Sequence, residues 1–148
     1  MEWQTTGVSG ACDMKYNGVI DKKLKLLEKK LSEIESWEIT DLAALQGSSL
    51  LSNALERGLQ VSVEIMIDVS ERILAIEKLP PGDGAADNMS KLGELGVLKN
   101  PEIYMNMVRF RNFIVHRYEY IETDIIYDIA KNKLGLFRQF ASEIYSSS

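Results

Sequence analysis

Between about Ser49 and Leu79 the chain runs without a proline, while Leu51, Leu55, Leu59, Ser62, Ile65, Met66, Val69, Ile73 and Ile76 recur at short helical spacings. That recurrence follows the 3.6-residue period, so the segment reads as one long helix with a broad apolar face. Pro80-Pro81-Gly82 must end it, because a proline removes a helical N–H and clashes with the preceding turn. Gly58 lies inside the pattern at a cost of roughly 1 kcal/mol relative to alanine, so either packing such as close approach by another helix excuses it or the helix bends there.

The rest of the chain follows the same grammar. From about Ile20, the positions Leu24, Leu27, Leu31 and Ile34 mark an amphipathic helix, with Asn17-Gly18 as a turn upstream. Thr40-Asp41 marks an interruption or a second short helix. After the Pro-Pro-Gly-Asp-Gly loop, Met89, Leu92 and Leu95 define a short helix ending at Gly96, a residue that readily takes the left-handed cap conformation. Asn100-Pro101-Glu102 is a strong helix start: a capping side chain, a proline at the first helical position and an acid at the positive helix end. The helix it opens is expected to bury Ile103, Met107, Phe110 and Ile114, with Val108 and Val115 on a flank. A last helix is expected from about Thr123 to Tyr145, carrying Ile126, Ala130, Lys133, Phe137, Phe140 and Ile144 on its stripe, widened by Ile125, Ile129 and Leu136. Nothing reads as a strand. The expected architecture is all-α, an up-and-down bundle of four main helices plus one short helix. Apolar seams on the first two long helices are long enough to serve a partner subunit as well, which makes a homodimer the expected assembly.

A chain of 148 residues suits one domain. Residues 1–13 lack periodicity and read as a disordered leader or an added extension, leaving 14–148 as the domain. With 17 basic and 22 acidic residues the net charge is −5, which argues against broad adhesion to nucleic acid or anionic membrane; any RNA contact must be local. No apolar run approaches the roughly 20 residues that span a bilayer. The single cysteine, Cys12, cannot form an internal disulfide, so a reducing cytoplasm is the expected location.

The single histidine, His116, stands in RNFIVHRY, residues 111–118. Arg109, Arg111 and Arg117 surround it, and with Lys99 they form a basic island in an acidic chain. On a helix Asn112 and His116 share a face, while Arg111 is rotated from His116 by roughly 140° and reaches back along its long side chain. Such a set suits RNA cleavage: His116 moves the proton of an attacking 2'-hydroxyl, Arg111 offsets charge at phosphorus, and Asn112 orients the imidazole or phosphate. One chain supplies only one imidazole, whereas the reaction uses a base and an acid; two chains would supply both. The plain alternative is a histidine that donates to a nearby backbone group and arginines that are merely solvated.

The octapeptide resembles the Arg-x4-6-His signature of HEPN proteins, with a polar residue after the arginine, and Tyr118 completes the Arg-x4-His-x-Tyr form typical of HepT toxins. ALERGLQVSVEIMID, with Gln60, Glu64 and Asp68 four residues apart, resembles the second HepT helix, and KLGELGVL resembles the segment before its motif helix; the likeness covers about residues 15 to 145. The resemblance implies a HEPN-like bundle and a toxin that acts as a metal-independent ribonuclease and a dimer. It also implies a partner, an MNT-type nucleotidyltransferase antitoxin that neutralises the toxin by transferring AMP to Tyr118. The catalytic candidates are then Arg111, Asn112 and His116.

Arg109 and Arg117 stand as supporting or RNA-binding residues. Glu64 and Asp68 join them if they turn toward the motif helix and pair with Arg109 or Arg111; otherwise the stripe from Gln60 to Glu71 is a solvated face. Tyr104 and Tyr120 lack motif support and are expected to be structural or exposed. No Cys or His cluster points to a metal and no Gly-rich phosphate loop points to a cofactor. A non-catalytic HEPN module that docks a nucleotidyltransferase or a nucleotide is the competing reading.

Overall fold

The computed structural model describes residues 16, 18–116 and 123–147, with the side chains of Val115 and His116 outside the description. The expected leader, residues 1–13, also lies outside the described residues. Among the described residues there are seven helices: α1 (Gly18–Ser36), α2 (Leu42–Gln46), α3 (Ser49–Ile76), α4 (Ala85–Glu94), α5 (Pro101–His116), α6 (Thr123–Asn132) and α7 (Leu134–Ser147). The all-α bundle expected from periodicity is what forms. Its axis is α3, which packs against each of the other six helices. Leu55, Leu59, Val63, Met66, Val69 and Ile73 are buried along it, each contributing roughly 1.5–3 kcal/mol relative to exposure.

Local chemistry sets the ends. The Ser48 hydroxyl accepts from the Leu51 amide at 3.1 Å and starts α3, as the Asp41 carboxylate starts α2 through Ala44. Helix α3 stops at Ile76, three residues short of the expected Leu79. Lys78 adopts φ 61°, its amide bonds to the Ala75 carbonyl, and the Leu79 amide reaches back to Leu74. The chain thus turns off the helix before the residue that precedes proline, where helical geometry is disfavoured. Gly96, at φ 79°, makes the same closure for α4, with the Val97 amide bonded to the Leu92 carbonyl.

Gly58 marks the crossing of α1 over α3: a Cβ there would lie 3.1 Å from Ile34 Cδ1 and 3.7 Å from the Trp37 ring. Together with the Lys23–Asp68 ion pair at 3.0 Å, this contact makes α1 and α3 antiparallel. Arg138 of α7 clamps the flank of α1 that faces it, donating to both oxygens of Glu28 at 2.8 and 3.0 Å and to both of Glu35 at 2.6 and 2.8 Å. These hydrogen bonds hold Glu35 below its ordinary carboxylate range and raise the proton affinity of Arg138.

The expected last helix is divided. The α-helical ladder runs to the Lys133 amide, which bonds to Ile129, and a tighter bond from Leu136 to Lys133 begins α7 beside Gly135. The Asn132 side chain turns back to Asp128 at 2.8 Å, and it and Gly135 are weak helix formers. The stripe survives the break, since Ile126, Phe137, Phe140 and Ile144 are all buried.

The central part of α5 turns a different face inward from the one expected. Tyr104 and Val108 are fully buried, while Ile103, Met107 and Phe110 are half-buried along an open groove of about 590 Å³ shared with Ile125, Ile129 and Leu136. The tyrosine can go inside because its hydroxyl has a partner there: it donates to Glu143 Oε2 at 3.0 Å, and its ring meets Phe140 edge-on at 5.3 Å. The long helix α3 buries most of its apolar face within the chain, and α5, α6 and α7 leave an open apolar groove.

Candidate functional site

Helix α5 delivers the motif, and both ends of its first two turns are fixed. Pro101 occupies the first helical position, and its ring packs so tightly on Gly93 that a Cβ there would lie 2.6 Å from Pro101 Cγ. Glu143, buried on α7, gathers three donors: the Lys99 amide at 2.8 Å, the Tyr104 hydroxyl at 3.0 Å and the Gln139 amide at 3.1 Å. Burial and the adjacent carboxylate push the Tyr104 hydroxyl well above the ordinary tyrosine range, so it stays a donor. The start of the motif helix is therefore tied to α4 and α7, about 10 Å along the axis from Arg111.

Arg111 lies against the edge of α3. Its side chain is 21% exposed, Nη1 stands 3.9 Å from Glu64 Oε2, and Nε is buried with no hydrogen-bond partner among the described residues. Glu64 is itself held by Gln60, whose amide donates to Oε2 at 3.2 Å. The contact to Arg111 is longer than a hydrogen bond, so it is electrostatic guidance rather than a closed clamp. Asn112 is exposed beside Arg111.

Two expected supports point elsewhere. Asp68 does not reach the motif helix: it pairs with Lys23 of α1 at 3.0 Å and with Arg72 one turn on at 3.3 Å. Burial opposes its ionisation, but the hydrogen bonds and charges of Lys23 and Arg72 outweigh that and hold its acidity stronger than ordinary. Arg109 turns toward the helix start, donating to Asn106 Oδ1 at 2.6 Å and to Glu102 at 3.3 Å, and it is exposed. Position on the helix decides this: Arg109 and Arg111 are two residues apart and diverge by roughly 160°. His116 is the last residue of α5, but its imidazole, Arg117, Tyr118, Glu119 and Tyr120 lie outside the described residues.

Tyr104, expected to be structural or exposed, is structural, but its partner Glu143 was not singled out by the sequence. The available signal was a lone carboxylate, Glu143, on the apolar stripe beside Phe140 and Ile144. Among the described residues no group of three or more His, Cys, Asp or Glu is placed to hold a metal ion, and no helix is long and apolar enough to cross a membrane.

Residues 27–144 match the family model for the HepT-like ribonuclease. The chain belongs to the HepT-like family. No match emerges among curated proteins. Among solved structures, the HepT-like chain is similar to a toxin–antitoxin complex with AMP-PNP, at a TM-score of 0.80 and 21% identity, covering 88% of this chain and 99% of that one. It is similar to the tri-AMPylated HEPN toxin of Shewanella oneidensis in complex with MNT antitoxin, at a TM-score of 0.80 and 22% identity, with 88% and 98% covered. It is also similar to YutE of Bacillus subtilis, a cytosolic protein of unknown function, at a TM-score of 0.74 and 20% identity, with 88% of each chain covered. At these identities the likeness establishes a shared HEPN-like fold.

Proposed function

We propose that this HepT-like chain is the toxin of a HepT/MNT-type toxin–antitoxin pair and a metal-independent endoribonuclease. The observation that carries the reading is the state of Arg111. A guanidinium met loosely by Glu64 at 3.9 Å, with a buried Nε that has no hydrogen-bond partner among the described residues, has hydrogen-bonding capacity left for an anion. It stands in the RNFIVHRY motif of a family whose model is that of a ribonuclease.

In the proposed reaction His116 takes the proton of a ribose 2'-hydroxyl, whose oxygen attacks the adjacent phosphorus. The P–O5' bond breaks, leaving a 2',3'-cyclic phosphate and a 5'-hydroxyl that takes up a proton. Arg111 balances the charge that builds on the phosphoryl oxygens, and exposed Asn112 orients the phosphate or the imidazole. The second imidazole needed for concerted acid and base action comes from a second copy of the chain. The open groove of Ile103, Met107, Phe110, Ile125, Ile129 and Leu136 supplies apolar surface beside the motif for that copy to cover.

The partner is an MNT-type nucleotidyltransferase. It moves AMP from ATP to the Tyr118 hydroxyl: an O–P bond forms to the α-phosphorus, the α–β anhydride breaks, and pyrophosphate leaves. The added phosphate sets negative charge against Arg111 and Arg117, and the nucleotide fills the space an RNA strand would use. The similarity to an AMPylated HEPN toxin bound to MNT antitoxin supports this half of the reading.

Expression of the chain in a bacterial host tests the proposal. Growth arrest by the wild type, relieved by His116→Ala and by co-expression of an MNT-type nucleotidyltransferase from the same genome, is expected, with AMP found on the peptide carrying Tyr118. Equal arrest by His116→Ala would remove the histidine from catalysis, and an unmodified Tyr118 in the presence of an active partner would remove the regulatory half. If the wild-type dimer cleaves no RNA while Arg111→Ala abolishes partner binding, the chain is instead a non-catalytic docking module, a reading to which the net charge of −5 and the single imidazole lend weight.

A further inference from the structure

We infer that the outer face of α1 is a phosphate-binding track that holds the RNA strand on its way to the motif. This rests on the ribonuclease reading and adds to it a binding surface outside the octapeptide.

Five of the chain's basic residues fall between Lys22 and Lys30: Lys22, Lys23, Lys25, Lys29 and Lys30. The helix packs its other side, Leu24, Leu27, Glu28 and Leu31, into the core, so the lysines are forced outward. Three of them have acidic neighbours: Lys23 meets Asp68, Lys25 meets Asp21, and Lys30 meets Glu33. Lys22 and Lys29 are exposed and have no acidic partner among the described residues. They lie seven residues apart, two turns along one face and about 10 Å along the axis. In an acidic protein, two free ammonium groups on one helix face concentrate an anion locally where the whole molecule would repel it.

The flank of α1 that carries Lys23, roughly 100° round the helix from Lys22, meets the edge of α3 that also faces Arg111. Glu64, beside Arg111, and Asp68, beside Lys23, are one turn apart on α3, about 6 Å along its axis. Those two acids would repel a strand crossing from α1 to α5, but each is already met by a cation: Glu64 by Arg111, Asp68 by Lys23 and Arg72. The ridge between the two helices is thus close to neutral, flanked by cations on both sides. Val19 and Leu26 are its exposed large apolar side chains, each about two-fifths exposed, and the rest of the face is dominated by lysines, which favours a polyanion over an apolar partner.

The test is the salt dependence of RNA binding, measured by fluorescence anisotropy with a labelled single-stranded RNA on His116→Ala protein, so that no cleavage intervenes. Lys22→Gln/Lys29→Gln removes two charges without breaking an ion pair of the described residues. Losing two phosphate contacts lowers the slope of log K against log salt by about 1.4, so the parent gains about sevenfold more affinity than the variant between 200 and 50 mM salt. Lys78→Gln/Lys91→Gln, which removes the same charge outside α1, is expected to leave the slope at the parent value.

A variant slope equal to that of the parent overturns the track, as does an equal fall in the control pair, which would mean bulk charge alone. Loss of nucleotidyltransferase binding with RNA binding intact would reassign the face to a protein and overturn it too. These outcomes differ from failure of the ribonuclease reading, in which the wild-type chain neither binds nor cleaves RNA.

Discussion

Replacing Tyr104 by phenylalanine isolates the bond that anchors the motif helix, because the ring that fills the core and meets Phe140 stays in place. What is lost is a buried hydroxyl donating to the Glu143 carboxylate at 3.0 Å. A hydrogen bond to a charged group contributes about 1.5–3 kcal/mol. Glu143 keeps the Lys99 amide and Gln139 as donors, so it is not stranded, and a loss near 2 kcal/mol is expected. For a chain of this size that lowers Tm by about 6 °C, and with a urea m-value of about 2 kcal/mol/M it lowers the midpoint by about 1 M. Urea unfolding followed by tryptophan fluorescence and by far-ultraviolet circular dichroism measures it, Trp37 reporting from its place against the core just after α1. The pH dependence gives an independent check. Because the folded state holds the Tyr104 proton more tightly than the unfolded chain does, its contribution is complete below the ordinary tyrosine pKa of 10.0 and declines as pH rises above it. The gap between wild type and Tyr104→Phe should therefore narrow above pH 10; Tyr145, raised by burial and by Asp21, acts equally in both proteins and cancels. A midpoint unchanged by the substitution, or a gap constant across that pH range, would refute the reasoning.

Other expectations follow from the same geometry. Gly93→Ala would drive a methyl group into the Pro101 ring, a rigid neighbour 2.6 Å away, and is expected to cost about 2 kcal/mol in the same urea assay. Lys78→Gly relieves a side chain from φ 61° at the end of α3 and should stabilise the fold by about 0.5–1 kcal/mol. Asp68→Asn should flatten the acid limb of the stability profile. A carboxylate whose folded pKa is lowered contributes stability above its unfolded value, lost as pH falls, and the asparagine variant lacks that loss. A double-mutant cycle on Glu64 and Arg111 should return a coupling below about 1 kcal/mol, since the pair is partly exposed and 3.9 Å apart.

Much of the fold was legible because its punctuation is local. Pro80, Gly96 and Pro101 mark boundaries through backbone chemistry that no distant contact alters, and the structure places helix ends within a few residues of each. Gly58 was readable as a close approach for the same reason, since a missing side chain inside a helix asks for a neighbour. The face of α5 was not. Its sequence offers two stripes, Ile103–Met107–Phe110 and Tyr104–Val108, and apolarity favours the first. The second is buried because Glu143, 39 residues away, provides the partner that makes a buried tyrosine hydroxyl affordable. Likewise the stripe from Gln60 to Asp68 announced a shared edge of α3, but which cation met each acid depended on how α1 and α5 flank that edge. Glu64 went to Arg111 and Asp68 to Lys23. The division at Lys133 rests on the marginal helix preference of Asn132 and Gly135, too weak a signal against a continuous apolar stripe.

In the proposed function Arg111 and His116 form a nuclease site that works without a metal. Purified wild-type, His116→Ala and Arg111→Ala chains, each given a labelled single-stranded RNA in the presence of EDTA, decide whether it exists. Products ending in 2',3'-cyclic phosphate are expected, with the rate falling by about 10²-fold or more when the imidazole is removed. Cleavage by His116→Ala at the wild-type rate would take His116 out of the chemistry.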